Sequence, residues 1–392
     1  MHRFSQRTGW LRQPTALTAL HDRLAAAGRP LLDLTGSNPP SQGFVYPPHI
    51  LQRVFADAAH YTPDPLGLPA ARAAVSAYYR GHDAHMPPER IWIGAGTSDL
   101  YAHTMAILCN PGDTWLVPEP GYPLFEYVAD LAGVTLAPYP LRWDGAWHLR
   151  AADLDRVLAR HPRARALAVI APHNPTGHLG TADEHAALAA RCAAHGLALI
   201  VDEVFLDYPL TTAGPLPSRA GSGAGLVIAL SGVSKVAAFP QGKLAWAAVS
   251  GPAAIVDEFL ARAELAADAF LNTSTAIQGG LDRLLAEAPA MQQRILARCR
   301  ANLETARAMV ADTPISMPVP AAGWTALLRF PHTREDSEWA ALAMESAGVV
   351  THPGYLFGLD AVHAAPYLAV SLLTRPRPFA TGLRRLAALA SA

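Results

Sequence analysis

The chain has 392 residues, 51% hydrophobic and 16% charged, which is ample for a large core and more than one domain. A net charge of −1 leaves no electrostatic footprint for nucleic acid or an anionic membrane. Three cysteines (Cys109, Cys192, Cys299) lack metal-ligand spacing, the polar start Met1 to Arg7 lacks a secretion signal's apolar core, and no apolar run has a membrane span's length, so a soluble, cytoplasmic protein is expected.

Residues 14–28 carry the spacing of an amphipathic helix, followed by the strand-like run Pro30 to Thr35 and a turn at Gly36 to Pro40. From about residue 49 short apolar runs alternate with helical stretches. Strands are predicted at 91–93, 114–117, 166–170, 198–201 and 226–230, with helices at 100–108, 121–132, 183–195 and 252–267. Nearly all-apolar strands separated by helices indicate a mainly parallel sheet covered on both faces. A long helix over 288–311 leaves this unit. Beyond it come strands at 325–330, 349–351 and 367–372 and helices around 335–347 and 378–390, a small α+β unit that the N-terminal segment can join. The expected division is a large domain over 49–285 and a small one built from 1–48 and 286–392.

Three residues in chain order carry the chemistry. Asn174 lies in the turn Pro172-His-Asn-Pro-Thr-Gly177, Asp202 ends the apolar run Leu199-Ile-Val-Asp202, and Lys235 closes Ser231-Gly-Val-Ser-Lys235. Together they supply what a pyridoxal phosphate site needs: a donor for the ring phenol oxygen, an anion for the ring nitrogen and an amine for the imine. Upstream, the loop Gly94-Ala-Gly-Thr-Ser-Asp99 joins a strand to a helix. Its Gly96 backbone and the Thr97 and Ser98 hydroxyls can surround a phosphate at the helix N-terminus. A dinucleotide fingerprint would need a third glycine where Asp99 stands. Tyr122 follows a strand end and can stack on a planar ring. Asp202 would keep a pyridine nitrogen protonated by ion pairing. Lys235 would form the imine and then move protons at the substrate's α-carbon, and Lys243 is a candidate cation facing the phosphate. Trp324, Tyr355 and the Ser37-Asn38 turn are candidates for the pocket wall. Singly each residue has a plain reading: a helix cap for Asp202, a packed ring for Tyr122, a solvated side chain for Glu203 or either lysine. The joint pattern favours the cofactor.

These motifs resemble the fold-type I pyridoxal phosphate enzymes, specifically the class I/II aminotransferases of the aspartate aminotransferase superfamily. The resemblance runs from Tyr61-Thr-Pro-Asp-Pro-Leu-Gly-Leu-Pro69 through Asn174-Pro-Thr-Gly177, Asp202-Glu-Val-Phe205 and Ser234-Lys235 to His352-Pro-Gly-Tyr-Leu-Phe-Gly358. It implies an α/β protein of the PLP-dependent transferase fold, with a mainly parallel seven-stranded sheet in a large domain and a small α+β domain. It also implies pyridoxal 5'-phosphate as cofactor and a homodimer in which Tyr61 reaches the neighbouring subunit's phosphate. Four departures stand out. Phe205 replaces a usual tyrosine beside the phenol oxygen, which leaves Asn174 as the donor. Lys243 replaces a phosphate-facing arginine and loses its bidentate geometry. Gly232 occupies a usual serine position, so Ser231 or Ser234 is expected to substitute. Finally, Tyr367-Leu-Ala-Val-Ser371 carries Ala369 where the family has its carboxylate-binding arginine. Arg375 or Arg377 could supply that anchor; otherwise the substrate is held differently or lacks the carboxylate.

The leading expectation is a PLP-dependent aminotransferase of amino acid metabolism, moving an amino group between an amino donor and a keto acceptor through a Lys235 aldimine. The alternative is a lyase, decarboxylase or oxidase-like enzyme on the same fold, a reading that Ala369 favours. A cofactor-binding regulator without turnover would carry a fused DNA-binding module, for which little chain precedes the matching region.

Overall fold

The all-apolar runs assemble into one twisted sheet. The computed structural model describes residues 4–10, 12–212, 214–221, 223–271, 273–359 and 365–392. Across the sheet the strands follow the order Ile91–Gly94, Ala245–Ser250, Val227–Gly232, Ala198–Asp202, Ala164–Ile170, Thr114–Glu119, Thr135–Trp143 and Trp147–Leu149. The pairings from Val227–Gly232 to Thr135–Trp143 are all parallel. Ala245–Ser250 runs antiparallel to both its neighbours. Seven strands therefore form the mainly parallel sheet, and Trp147–Leu149 adds an eighth as an antiparallel hairpin. Parallel neighbours need crossover helices, which cover both faces. Every residue of Ala198–Asp202, Val227–Gly232 and Ala245–Ser250 is accordingly buried.

Two strands are not legible as apolar runs. Thr135–Trp143 alternates between buried and more exposed positions, and Ala245–Ser250 is rich in alanine, a weak strand former. The long helix spans Leu281–Val310, starting before the predicted 288 and running on through Pro289. Among the described residues no helix is long and apolar enough to cross a membrane.

After the long helix, Thr325–Arg329, Tyr367–Ser371 and His352–Pro353 form an antiparallel three-stranded sheet. Leu32–Asp33 pairs in parallel with Val349–Val350, which ties the N-terminal segment to this unit. One apolar cluster joins Leu34, Phe44, Leu303, Leu328 and Phe379 to Phe205 and Tyr208 beside the large sheet. Burying each such side chain contributes about 1.5–3 kcal/mol. The three-stranded sheet is thereby packed against the end of Ala198–Asp202.

The buried Asn302 fastens the long helix to this unit. Its Nδ2 donates to Leu372 O at 2.9 Å and to Thr374 O at 2.7 Å. Asn302→Ala leaves two buried carbonyls without a donor and is expected to cost about 2–3 kcal/mol. Urea unfolding should show a lower midpoint with an unchanged slope; an unmoved midpoint would mean that other groups serve both carbonyls.

Candidate active site

The strand Val227–Gly232 stops at the turn that carries the lysine, a helix of only four residues, Val233–Val236. So short a helix holds few of its own carbonyls, and side chains from elsewhere serve them. Tyr208 Oη donates to Lys235 O at 2.6 Å, Gln292 Nε2 to Val236 O at 2.8 Å and Tyr46 Oη to Ala237 O at 2.8 Å. Lys235 Nζ lies 5.2 Å from the Trp324 ring centre and 5.9 Å from that of Phe205. Burial among these rings lowers its pKa, against the opposing pull of Asp202. Gly232 is a matter of space, not strain. A Cβ there would stand 2.9 Å from Ala245 Cβ and 3.1 Å from Leu244 O, so a serine cannot fit unless the neighbouring strand moves.

Asp202 ends its strand buried beneath this turn. Its Oδ1 accepts from Val204 N at 3.1 Å and its Oδ2 from Tyr101 Oη at 3.0 Å. Burial raises its pKa to about 6, while the Val204 and Tyr101 donors and Lys235 act in the opposite direction. Glu203, the next residue, does not reach the cavity, as strand alternation requires. It accepts from Ser218 Oγ at 2.7 Å and from Arg219 N, and burial raises its pKa to about 7. Asn174 Oδ1 accepts from Thr325 Oγ1 at 3.2 Å, which leaves the amide nitrogen for a ring oxygen. The turn holding Asn174 needs Gly177: φ is +71°, and a Cβ would lie 2.4 Å from Pro320 Cβ.

A cavity of about 250 Å³ is lined by Thr97, Ser98, Tyr122, Asn174, Asp202, Ser234 and Lys235, seven of the sequence candidates. Ser37, Phe205 and Trp324 line it as well. Thr97 and Ser98 open the helix Thr97–Leu108, whose N-cap Gly96 makes no side-chain cap, so the first-turn N–H groups remain available to an anion. Gly96 itself, Ser231 and Lys243 are not on the wall. Ser231 is fully buried and its hydroxyl has no hydrogen-bond partner among the described residues, while Lys243 is exposed. Tyr61 is 72% exposed and also away from this cavity. Tyr355 lines an adjoining groove with Tyr122.

Among the described residues no arginine lines the cavity, and Arg375 and Arg377 are exposed elsewhere. Ala369 pairs with Leu327 in the register that pairs Thr325 with Ser371, so it shares a sheet face with the pocket residue Thr325. Its methyl group packs in a cluster with Leu141, Trp147, Leu327 and Leu359. A larger groove of about 710 Å³ between the helices Pro69–Arg80 and Leu281–Val310 contains none of the candidate residues. Its Asp207 is already engaged by Tyr78 and His82. The candidate residues therefore meet in the smaller cavity. Tyr101 escapes sequence reasoning because it sits inside a helix with no turn or glycine to mark it, and Thr325, the first residue of its strand, because its partner Asn174 lies far along the chain.

The raised pKa of Asp202 has a consequence in the cofactor-free protein. Below pH about 4 the carboxyl is protonated in the folded and unfolded chains alike and has no effect. Between that pH and about 6 the unfolded chain releases a proton that the folded chain keeps, so stability falls as pH rises and then levels off. Asp202→Asn removes this loss. Its stability relative to the parent should climb from near zero at pH 4 to about 2–3 kcal/mol above pH 7 in urea titrations. A difference independent of pH would mean that Asp202 is not desolvated.

Residues 40–371 match the family model described as aminotransferase class I and II. The glutamate-pyruvate aminotransferase AlaA of Escherichia coli (strain K12) is 31% identical over 242 residues, covering 59% of this chain and 57% of that protein. The chain thus spans little more than half the length of that relative. The arginine–pyruvate transaminase AruH of Pseudomonas aeruginosa is 27% identical over 351 residues, covering 87% of this chain and 85% of that protein. The alanine aminotransferase from Pyrococcus furiosus shares the fold, with a TM-score of 0.88 at 20% identity over 99% of each chain. With its family match covering most of its length, the chain belongs to the class I and II aminotransferases, whose cofactor is pyridoxal 5'-phosphate.

Proposed function

We propose that the protein is a pyridoxal phosphate-dependent aminotransferase that moves an amino group between an amino donor and a keto acceptor. It would act in amino acid metabolism as a cytoplasmic homodimer. The observation that carries this reading is a half-buried, pKa-lowered Lys235 sharing one cavity with Asp202 and Asn174. Bound there, pyridoxal phosphate supplies an aldehyde that captures amines and an electron-poor ring that weakens the bonds at the captured carbon. Lys235 Nζ would take the proton from that carbon and deliver it to the cofactor's former aldehyde carbon, and its lowered pKa keeps a usable fraction neutral. Asp202 holds the proton on the ring nitrogen, and the Asn174 amide donates to the phenol oxygen, with Phe205 offering no hydroxyl. Thr97, Ser98, Ser234 and the uncapped helix end, which line the cavity with Tyr122, would receive the phosphate, and Tyr122 would stack on the ring. Gly96, Ser231 and Lys243, set back from the wall, complete the proposed phosphate end. Residues 49–285 form the proposed cofactor domain, and 1–48 with 286–392 the smaller one.

Donors can be screened by absorbance. A true donor should convert the bound cofactor from its aldehyde to its amine form, and a keto acid should reverse the change. Pyruvate, which the names of both relatives contain, is the first acceptor to try. Lys235→Ala should abolish the conversion and the fixation of cofactor at residue 235 by borohydride. Release of carbon dioxide or ammonia without conversion would assign the lyase alternative instead.

The apolar setting of Ala369 and a cavity wall without arginine favour a donor whose recognition does not rest on a guanidinium–carboxylate pair. An α-amino acid and its decarboxylated amine should then differ in kcat/KM by less than about tenfold, roughly 1.4 kcal/mol. A preference of ~100-fold or more for the amino acid would reveal a carboxylate anchor.

The exposure of Tyr61 supports its reaching the phosphate of a second copy. Mixing inactive Lys235→Ala chains with impaired Tyr61→Ala chains should restore activity, because half of the sites in each hybrid dimer would be intact. No gain on mixing, with dimers present in sedimentation, would remove Tyr61 from the site.

A further inference from the structure

Tyr101 has no part in the reading above, yet it is the side chain bound most directly to Asp202. It stands four residues beyond Thr97 on the helix Thr97–Leu108, a spacing that brings two side chains onto one helix face. Its ring is 6% exposed and is met edge-on by Phe125 at 5.0 Å and by Trp115 at 6.2 Å between centres. Fixed from both sides, the phenol delivers its hydroxyl to Asp202 Oδ2 at 3.0 Å. The opposite oxygen, Oδ1, takes the Val204 amide at 3.1 Å. One donor on each oxygen fixes the plane of the carboxylate and leaves further lone pairs for a ring nitrogen. Among the described residues Tyr101 is the one side chain that donates to Asp202. Burial and the carboxylate itself raise the pKa of Tyr101 far above neutrality, so the phenol stays a donor at working pH. The other titratable groups facing Asp202 are Lys235, whose charge lowers the Asp202 pKa, and Tyr122 and Tyr79, whose own pKa values the carboxylate raises.

We propose that Tyr101 is a positioning residue: its hydroxyl orients Asp202 and keeps it ionised toward the cofactor's ring nitrogen. It also ties that carboxylate to the helix whose first turn receives the phosphate. One rigid element thus sets the distance between the two ends of the cofactor. The inference rests on the reading that Asp202 pairs with the ring nitrogen.

The test compares the full-length parent chain, Tyr101→Phe and Asp202→Asn. Each is titrated with pyridoxal phosphate from pH 5.5 to 8.5 and followed by tryptophan fluorescence. In the parent, affinity should rise as the pH passes about 6, where Asp202 ionises. Tyr101→Phe should move that rise upward by about one pH unit, which weakens binding nearly tenfold at pH 5.5 and by less than about twofold at pH 8.5. Asp202→Asn should bind weakly, without this rise. Titration of the free cofactor is common to all three chains and cancels in the ratios; Asp202→Asn also removes a charge that raises the Lys235 pKa, so the shift of the rise is read between the parent and Tyr101→Phe. If Tyr101→Phe follows the parent at every pH while Asp202→Asn still weakens binding, the role of Tyr101 is overturned and the site reading stands. If Asp202→Asn also matches the parent, the site reading falls and takes the inference with it. A uniform loss in Tyr101→Phe at every pH, with a lowered melting temperature, would mark a packing role and overturn the proposal.

Discussion

A buried carboxylate and a half-buried amine of opposite charge lie just at and beyond the ends of two adjacent parallel strands, and no ion pair joins them within 4 Å among the described residues. That arrangement is costly by itself. Desolvation pushes Asp202 toward its neutral form and Lys235 toward its own, each only partly opposed by the other's charge. An ion pair would relieve both but would close the space between them. The surrounding structure keeps them apart, and a protonated ring nitrogen and an aldehyde are the chemical complements of the two ends. On the proposed reading, the cofactor would relieve the desolvation of both groups.

Keeping the lysine back from the carboxylate depends on distant parts of the chain. The three donors that hold the carbonyls of residues 235–237 come from the N-terminal segment, from the loop after Asp202 and from the long helix. The aromatic rings of Phe205 and Trp324 flank the amine, and Trp324 belongs to the segment leading into the three-stranded sheet. The smaller sheet therefore contributes a wall of the cavity, and the packing of its core against Phe205 and Tyr208 fixes that wall.

What the sequence reveals follows from how local each signal is. The parallel strands are legible because burial on both faces demands unbroken apolar runs, as in Ala198–Asp202. Ala245–Ser250 is equally buried, but its alanines resemble helix formers, and only its neighbours make it a strand. Asn174, Asp202 and Lys235 can be found because each sits at a strand end or tight turn with its own punctuation. Tyr101, Tyr46 and Gln292 cannot, since their partners lie far along the chain and nothing in their surroundings marks them. The set-back positions of Ser231 and Lys243 are likewise invisible to spacing, because a side chain's direction at a strand end depends on what packs beside it.

The near-contact between positions 232 and 245 constrains both. With so little room between them, a bulkier group on one side obliges its counterpart to shrink or withdraw, and the pair behaves as a single steric unit. In this chain a side chain at 232 would have to push the adjoining strand outward, so the residue at 245 limits what the turn before Lys235 can carry.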